Sequence, residues 1–127
     1  FGGLRRDAVE CERWNLLKPM KKPKTPYISK VMANNDLVTI ATTDHVRAVP
    51  DMIQKWMPGK YVCLGTDGFG RSDTRENLRK FFEIDAEHIA AATISTLLTE
   101  GEISKAKAKT ALKTLEINPD TPDPARN

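Results

Sequence analysis

Residues 61–82, YVCLGTDGFGRSDTRENLRKFF, decide how the chain is read. Tyr61–Gly65 is a short apolar run that predicts a buried strand. Thr66–Asp73 predicts a tight Gly-rich loop, and a helix follows at once. Gly65, Gly68 and Gly70 permit positive φ or close backbone approach where a Cβ would resist it. Asp73, with Glu76 three residues on, has the spacing of a capped helix start, and Ser72 is a second candidate cap. The Thr66–Arg75 segment therefore delivers backbone N–H groups and a positive helix end to one spot, beside Arg71 and Arg75. That spot has two readings. It is an anion or phosphate cradle at a helix N-terminus, or a structural corner whose Arg71, Asp73 and Arg75 pair among themselves or with a neighbouring subunit. Neither the dinucleotide fingerprint nor a Gly-Lys-Ser/Thr phosphate loop is present. The residues favour the structural corner.

Working outward, Leu37–Thr42 (LVTIAT) predicts a second short strand, β-branched and apolar as in an α/β sheet. Before it, Asp7–Leu17 predicts a helix capped by Asp7, with Leu4, Ala8, Cys11 and Trp14 on one face. Trp14 is a core or interface anchor rather than a ligand-stacking ring. Lys18–Pro26 is an extended Lys- and Pro-rich connection. Thr25-Pro26 opens a short helix, Pro26–Ala33, that buries Tyr27 or Ile28 with Val31 and Met32, and Asn34-Asn35-Asp36 stops it. Between the strands, Thr43-Asp44 offers a cap, and Val46, Val49, Met52, Ile53 and Trp56 form a helical face. Pro50 should kink that helix or split it in two.

This is α/β order. After Phe82 the pattern is purely helical: Asp85 caps Ala86–Glu100, Gly101 closes it, and Ser104 opens Lys105–Leu115. Ile89, Ala92, Thr93, Thr96 and Leu97 make the stripe of the first of these helices. The expected organisation is an incomplete α/β domain over residues 1–117, helical from 85 to 117, then a flexible Pro-rich tail at 118–127. Two strands make a poor core alone, so further strands are expected upstream of Phe1.

The 127 residues, 29% of them charged, suit one domain or a piece of one. Mean hydropathy is −0.47, and no apolar run approaches the ~20 residues of a membrane span. The start at Phe1 suggests a fragment. Cys11 and Cys63 lack metal or disulfide spacing and read as reduced buried thiols of a cytoplasmic protein. The net charge of +3 is mild. Lys18, Lys21, Lys22 and Lys24, and Lys105, Lys107, Lys109 and Lys113, lack interleaved aromatics and match no nucleic-acid module, so they read as solvated surface.

Catalytic candidates are few. His45 follows Asp44 at a strand end, where α/β proteins place ligands, but a lone His there reads as a surface or capping residue. His88 is read on an exposed first turn. Asp67 offers a single carboxylate to a cation, a weak site. No nucleophile elbow, zinc spacing or carboxylate pair is recognisable.

CERWN at 11–15, TPYISKVM at 25–32 and LGTDGFGRSDTRENLRKFFEID at 64–85 resemble the C-terminal end of the homodimeric bacterial pyruvate dehydrogenases, in the transketolase-like superfamily. The resemblance implies a transketolase C-terminal-like α/β domain, a mixed sheet flanked by helices, here N-terminally truncated and ending in helices. It implies a thiamine-diphosphate- and Mg²⁺-dependent parent enzyme that decarboxylates pyruvate and passes the acetyl group to lipoyl groups of an acetyltransferase component. Cofactor and acid–base residues are implied to lie in earlier domains, so none is carried onto this chain. Gly65–Asp73 is implied to be a structural turn near subunit or domain contacts. The implied partners are the rest of the same polypeptide, a second subunit and the lipoyl-bearing component, not nucleic acid or membrane.

Overall fold

A computed structural model describes residues 1–34, 37–68 and 73–126. Helix α1 spans Gly2–Leu17 and starts without a side-chain cap. Its Ala8 and Cys11 are buried. Asp7 caps the next helix instead: its Oδ2 accepts the Tyr27 N–H at 2.7 Å. Helix α2 spans Tyr27–Val31, and Pro26 stands at its N-cap rather than inside it. α2 packs on α1. Ile28 and Met32 are half-buried and Tyr27 is exposed, so Ile28 fills the inward position; Val31 is exposed, contrary to expectation. Asn35 and Asp36, expected to stop α2, lie outside the described residues.

The CERWN segment works as a set of ties. Asn15 clamps the connection between α1 and α2, donating from Nδ2 to the Lys24 carbonyl at 2.9 Å and accepting the Lys24 N–H on Oδ1 at 2.7 Å. The Trp14 ring lies under the ammonium groups of Lys18 and Lys24, at 5.2 and 4.8 Å from its centroid. Such cation–π contacts hold the lysine-rich connection against the helix. Glu12 accepts the Trp56 indole N–H at 3.1 Å and pairs with Lys55, and Ser29 Oγ donates to the Trp56 carbonyl. Trp56 thus joins α1 and α2 to the segment between the strands.

Strand β1 is Thr39–Thr42 and β2 is Tyr61–Leu64. They pair in parallel, with Thr39 opposite Tyr61 and Thr42 opposite Leu64. Leu37, placed in the strand by its hydrophobicity, is exposed. The crossover is two short pieces: α3 at Ala48–Asp51 and a 3₁₀ turn at Gln54–Trp56. Pro50 is buried in the first turn of α3, where its missing N–H costs no helical bond, and the break comes after it. Ile53, 2% exposed, anchors the crossover, a burial worth roughly 2 kcal/mol. The Tyr61 hydroxyl donates to the Pro50 carbonyl at 2.9 Å.

Helix α4 is Arg75–Phe81, α5 is Ala86–Thr99 and α6 is Lys105–Thr114. α5 packs on β1, and α6 on α5. Asp85 and Ser104 cap α5 and α6 as expected, accepting the His88 and Lys107 N–H groups. Glu102 N–H to the Leu97 carbonyl, and Gly101 N–H to the Leu98 carbonyl, close α5 in a Schellman turn. Thr96 is buried yet satisfied, because its hydroxyl donates back to the Ala92 carbonyl at 2.7 Å. Beyond α6 the Pro-rich tail ends in a 3₁₀ turn at Pro124–Arg126.

Candidate functional site at the strand ends

The loops leaving β1 and β2 meet at the carboxyl end of the sheet. Thr43 N–H continues the ladder to the Leu64 carbonyl at 3.1 Å, and Thr66 N–H reaches the His45 carbonyl at 2.9 Å. The Thr66 hydroxyl donates to the Asp44 carbonyl at 2.8 Å. The Asp67 carboxylate, considered as a cation ligand, accepts the Arg47 N–H at 2.8 Å. Gly65 lies where these backbones cross: a Cβ there would stand 2.6 Å from the Arg47 nitrogen and 2.9 Å from the His45 carbonyl oxygen. Glycine is required because both obstructing groups are main chain. His45 takes part through its backbone, its N–H donating to Thr43 Oγ1 at 3.1 Å.

The helix cap differs from expectation. Thr74 is the N-cap of α4, accepting the Asn77 N–H on its hydroxyl. Asp73 stands one residue earlier, accepting the Thr74 N–H at 2.7 Å and the Asn77 side-chain amide at 3.1 Å. Ser72, the second candidate cap, lies outside the described residues, as do Gly70 and Arg71. An open cleft of about 480 Å³ runs beside the loop, with Asp44, Asp73, Arg75 and Arg79 at its polar side and Leu78 and Phe82 at its apolar side. Arg79 pairs with Asp44 at 3.7 Å. Arg75 is exposed and has no ion-pair partner among the described residues.

The structure brings Gly65, Asp67, Gly68, Asp73 and Arg75 to one corner. It keeps His88 apart. His88 is part-buried rather than exposed, its Nδ1 in contact with Asp85. Burial raises the Asp85 carboxyl, but the His88 ring and backbone N–H outweigh it and hold the group below the usual carboxylate range. Cys63 and Cys11 are both free and buried. Burial first, then Asp51, pushes the Cys63 thiol up to about 11, which disfavours the nucleophilic thiolate while the residue stays covered.

Among the described residues no three His, Cys, Asp or Glu side chains gather to hold a metal ion. The Thr74 and Asn77 N–H groups at the start of α4 already have side-chain acceptors. These residues form no cluster that fits Mg²⁺, and no chemical step is assigned to them. No helix among the described residues is long and apolar enough to cross a membrane.

Residues 3–85 match the family model described as the transketolase-like TK C-terminal domain. The chain belongs to this family. The match to the transketolase-like C-terminal domain ends at Asp85, the residue that caps α5. Over nearly its whole length the chain is similar to proteins named pyruvate dehydrogenase E1 component. It is 42% identical over 125 residues to the Escherichia coli (strain K12) protein, covering 98% of this chain and 14% of that protein. Identity to the Cupriavidus necator protein is 42% over 124 residues, again 98% of this chain and 14% of the relative. For the Mycolicibacterium smegmatis protein it is 40% over 118 residues, 93% of this chain and 13% of the relative. The chain thus spans about one-seventh of the length of these relatives.

Asp67 as a tie between loops, Thr74 as cap and Asn15 as clamp escape a reading of the sequence. Only the Thr74-x-x-Asn77 spacing carries a local signal.

Proposed function

We propose that this chain is the C-terminal scaffolding and dimer-contact domain of a thiamine-diphosphate- and Mg²⁺-dependent pyruvate dehydrogenase component. That enzyme is a cytoplasmic homodimer. It decarboxylates pyruvate and transfers the acetyl group to lipoyl groups of an acetyltransferase component, with cofactor and metal bound by other domains. The observation that carries the reading is 42% identity over 98% of the chain to a pyruvate dehydrogenase E1 component. The surface supports it: Leu16, Leu17, Met20 and Leu37 are 78, 58, 95 and 72% exposed, apolar area suited to further protein contact. Chemistry on a cofactor held between subunits needs walls that stay in register and exclude water. A domain adding contact area to the dimer serves that need without touching the cofactor.

The test is a replacement. In the Escherichia coli relative, the matching segment is deleted, or exchanged for this chain. The exchange should restore the dimer and the pyruvate turnover that the deletion abolishes. A monomeric chimaera would remove the dimer-contact role. A dimeric, cofactor-loaded but inactive one would place part of the chemistry in this domain. The alternative, a regulatory anion site over Thr66–Arg75, has less support. The Thr74 and Asn77 N–H groups are taken, and the carboxylates of Asp44 and Asp73 border the cleft. A phosphate or sulfate ion bound at that corner at millimolar concentration would favour it.

A further inference from the structure

The last residues of the chain return to the end of β2. Asp123 accepts the Ala125 N–H on Oδ1 at 2.9 Å and the Arg126 N–H on its carbonyl at 3.0 Å. These bonds curl Pro124–Arg126 into its 3₁₀ turn, and the turn lies on Gly68. Gly68 has φ +122. A Cβ there would stand 2.4 Å from the Pro124 carbonyl oxygen and 3.3 Å from the Ala125 Cα, so no side chain fits between loop and tail. Cys63, Gly65, Asp67, Glu83, Asp123 and Pro124 border one small cavity of about 110 Å³. Cys63 is 8% exposed.

Among the described residues, the tail's hydrogen bonds stay close to home. Asp120 N–H and the Thr121 hydroxyl both turn back to Asn118, and the Asp123 bonds end at Arg126. Packing against Gly68 joins this segment to the described part of the loop. Its prolines restrict the open state, so closing loses little backbone entropy. Contacts of this kind open at a free energy well below that of global unfolding.

We propose that residues 118–126 form a strap that closes over Gly68 and shields the Cys63 thiol, opening locally while the sheet stays intact. The inference is independent of the enzyme to which the domain belongs. In the full chain, Cys63 and Cys11 are alkylated with N-ethylmaleimide and followed peptide by peptide by mass spectrometry. Cys11, on α1, is the internal control. Truncation after Asn118 should speed Cys63 modification about tenfold while Cys11 keeps its rate. Gly68→Ala, which displaces Pro124 but retains every tail residue, should do the same. An unchanged Cys63 rate in either variant overturns the strap. If truncation unfolds the chain and both thiols accelerate, Gly68→Ala decides: selective acceleration of Cys63 supports the strap, and a joint rise overturns it.

Discussion

Asp67 and Arg47 lock the two strand-end loops together, the carboxylate of one accepting the backbone N–H of the other at 2.8 Å. A side chain after β2 thereby completes the turn after β1, alongside the two bonds made by Thr66. Asp67→Ala should cost about 1–2 kcal/mol, the scale of a charge-assisted bond near solvent. Asp67→Asn keeps an acceptor oxygen and should cost less. Urea unfolding midpoints check both; a neutral alanine would mean that Thr66 holds the loops unaided.

Gly65→Ala should be more damaging. The added methyl meets backbone atoms of Arg47 and His45, which cannot rotate away as a side chain would, and about 2–3 kcal/mol is expected. Gly3→Ala is the contrast. Gly3 lies inside α1, and a methyl added there would meet nothing within 4 Å, so alanine should stabilise by roughly 0.5–1 kcal/mol. Thermal unfolding of the two variants should move in opposite directions.

Asp85 gives stability an acid-side slope. Its folded carboxyl sits below the ordinary range, burial being outweighed by the bonds from His88, while an unfolded Asp titrates near ~3.9. The contribution is therefore full above about pH 4 and fades as pH falls through the folded value. Urea unfolding across acid pH should show a shallower decline for Asp85→Asn than for the parent chain. Parallel curves would show that the pair with His88 adds nothing.

Asn15→Ala breaks both bonds to Lys24 and should cost about 1 kcal/mol. The sharper readout is tryptic cleavage at Lys21 and Lys24, which should accelerate while cleavage within α6 does not. Equal acceleration at both places would indicate general loosening instead of a lost clamp.

Much of the architecture is legible in the sequence because its signals are local. The apolar runs at Leu37–Thr42 and Tyr61–Gly65 mark both strands, and Asp85 and Ser104 mark two helix starts. The misplaced features depend on contacts distant in sequence. Asp7 has the chemistry to cap α1, yet it serves Tyr27, 20 residues away. Asp73 and Thr74 are both competent caps, and the extended backbone of Thr74 (φ −64, ψ 154) selects it. Asp67 reads as a solvated carboxylate because nothing local announces that the Arg47 N–H will face it. Pro50 does mark a run in two pieces, but it sits within the first of them and the break falls after Asp51.

Trp14 and Trp56 are the chain's two indoles: Trp14 lies on α1 beneath Lys24, and Trp56, in the crossover, is tied to α1 through Glu12. Tryptophan emission therefore reports on the junction of α1 with the crossover. A melt followed by tryptophan would register the loss of the CERWN ties and stay silent if the Pro124 turn lifted from Gly68, so optical and thiol-based probes of this domain should diverge before they agree.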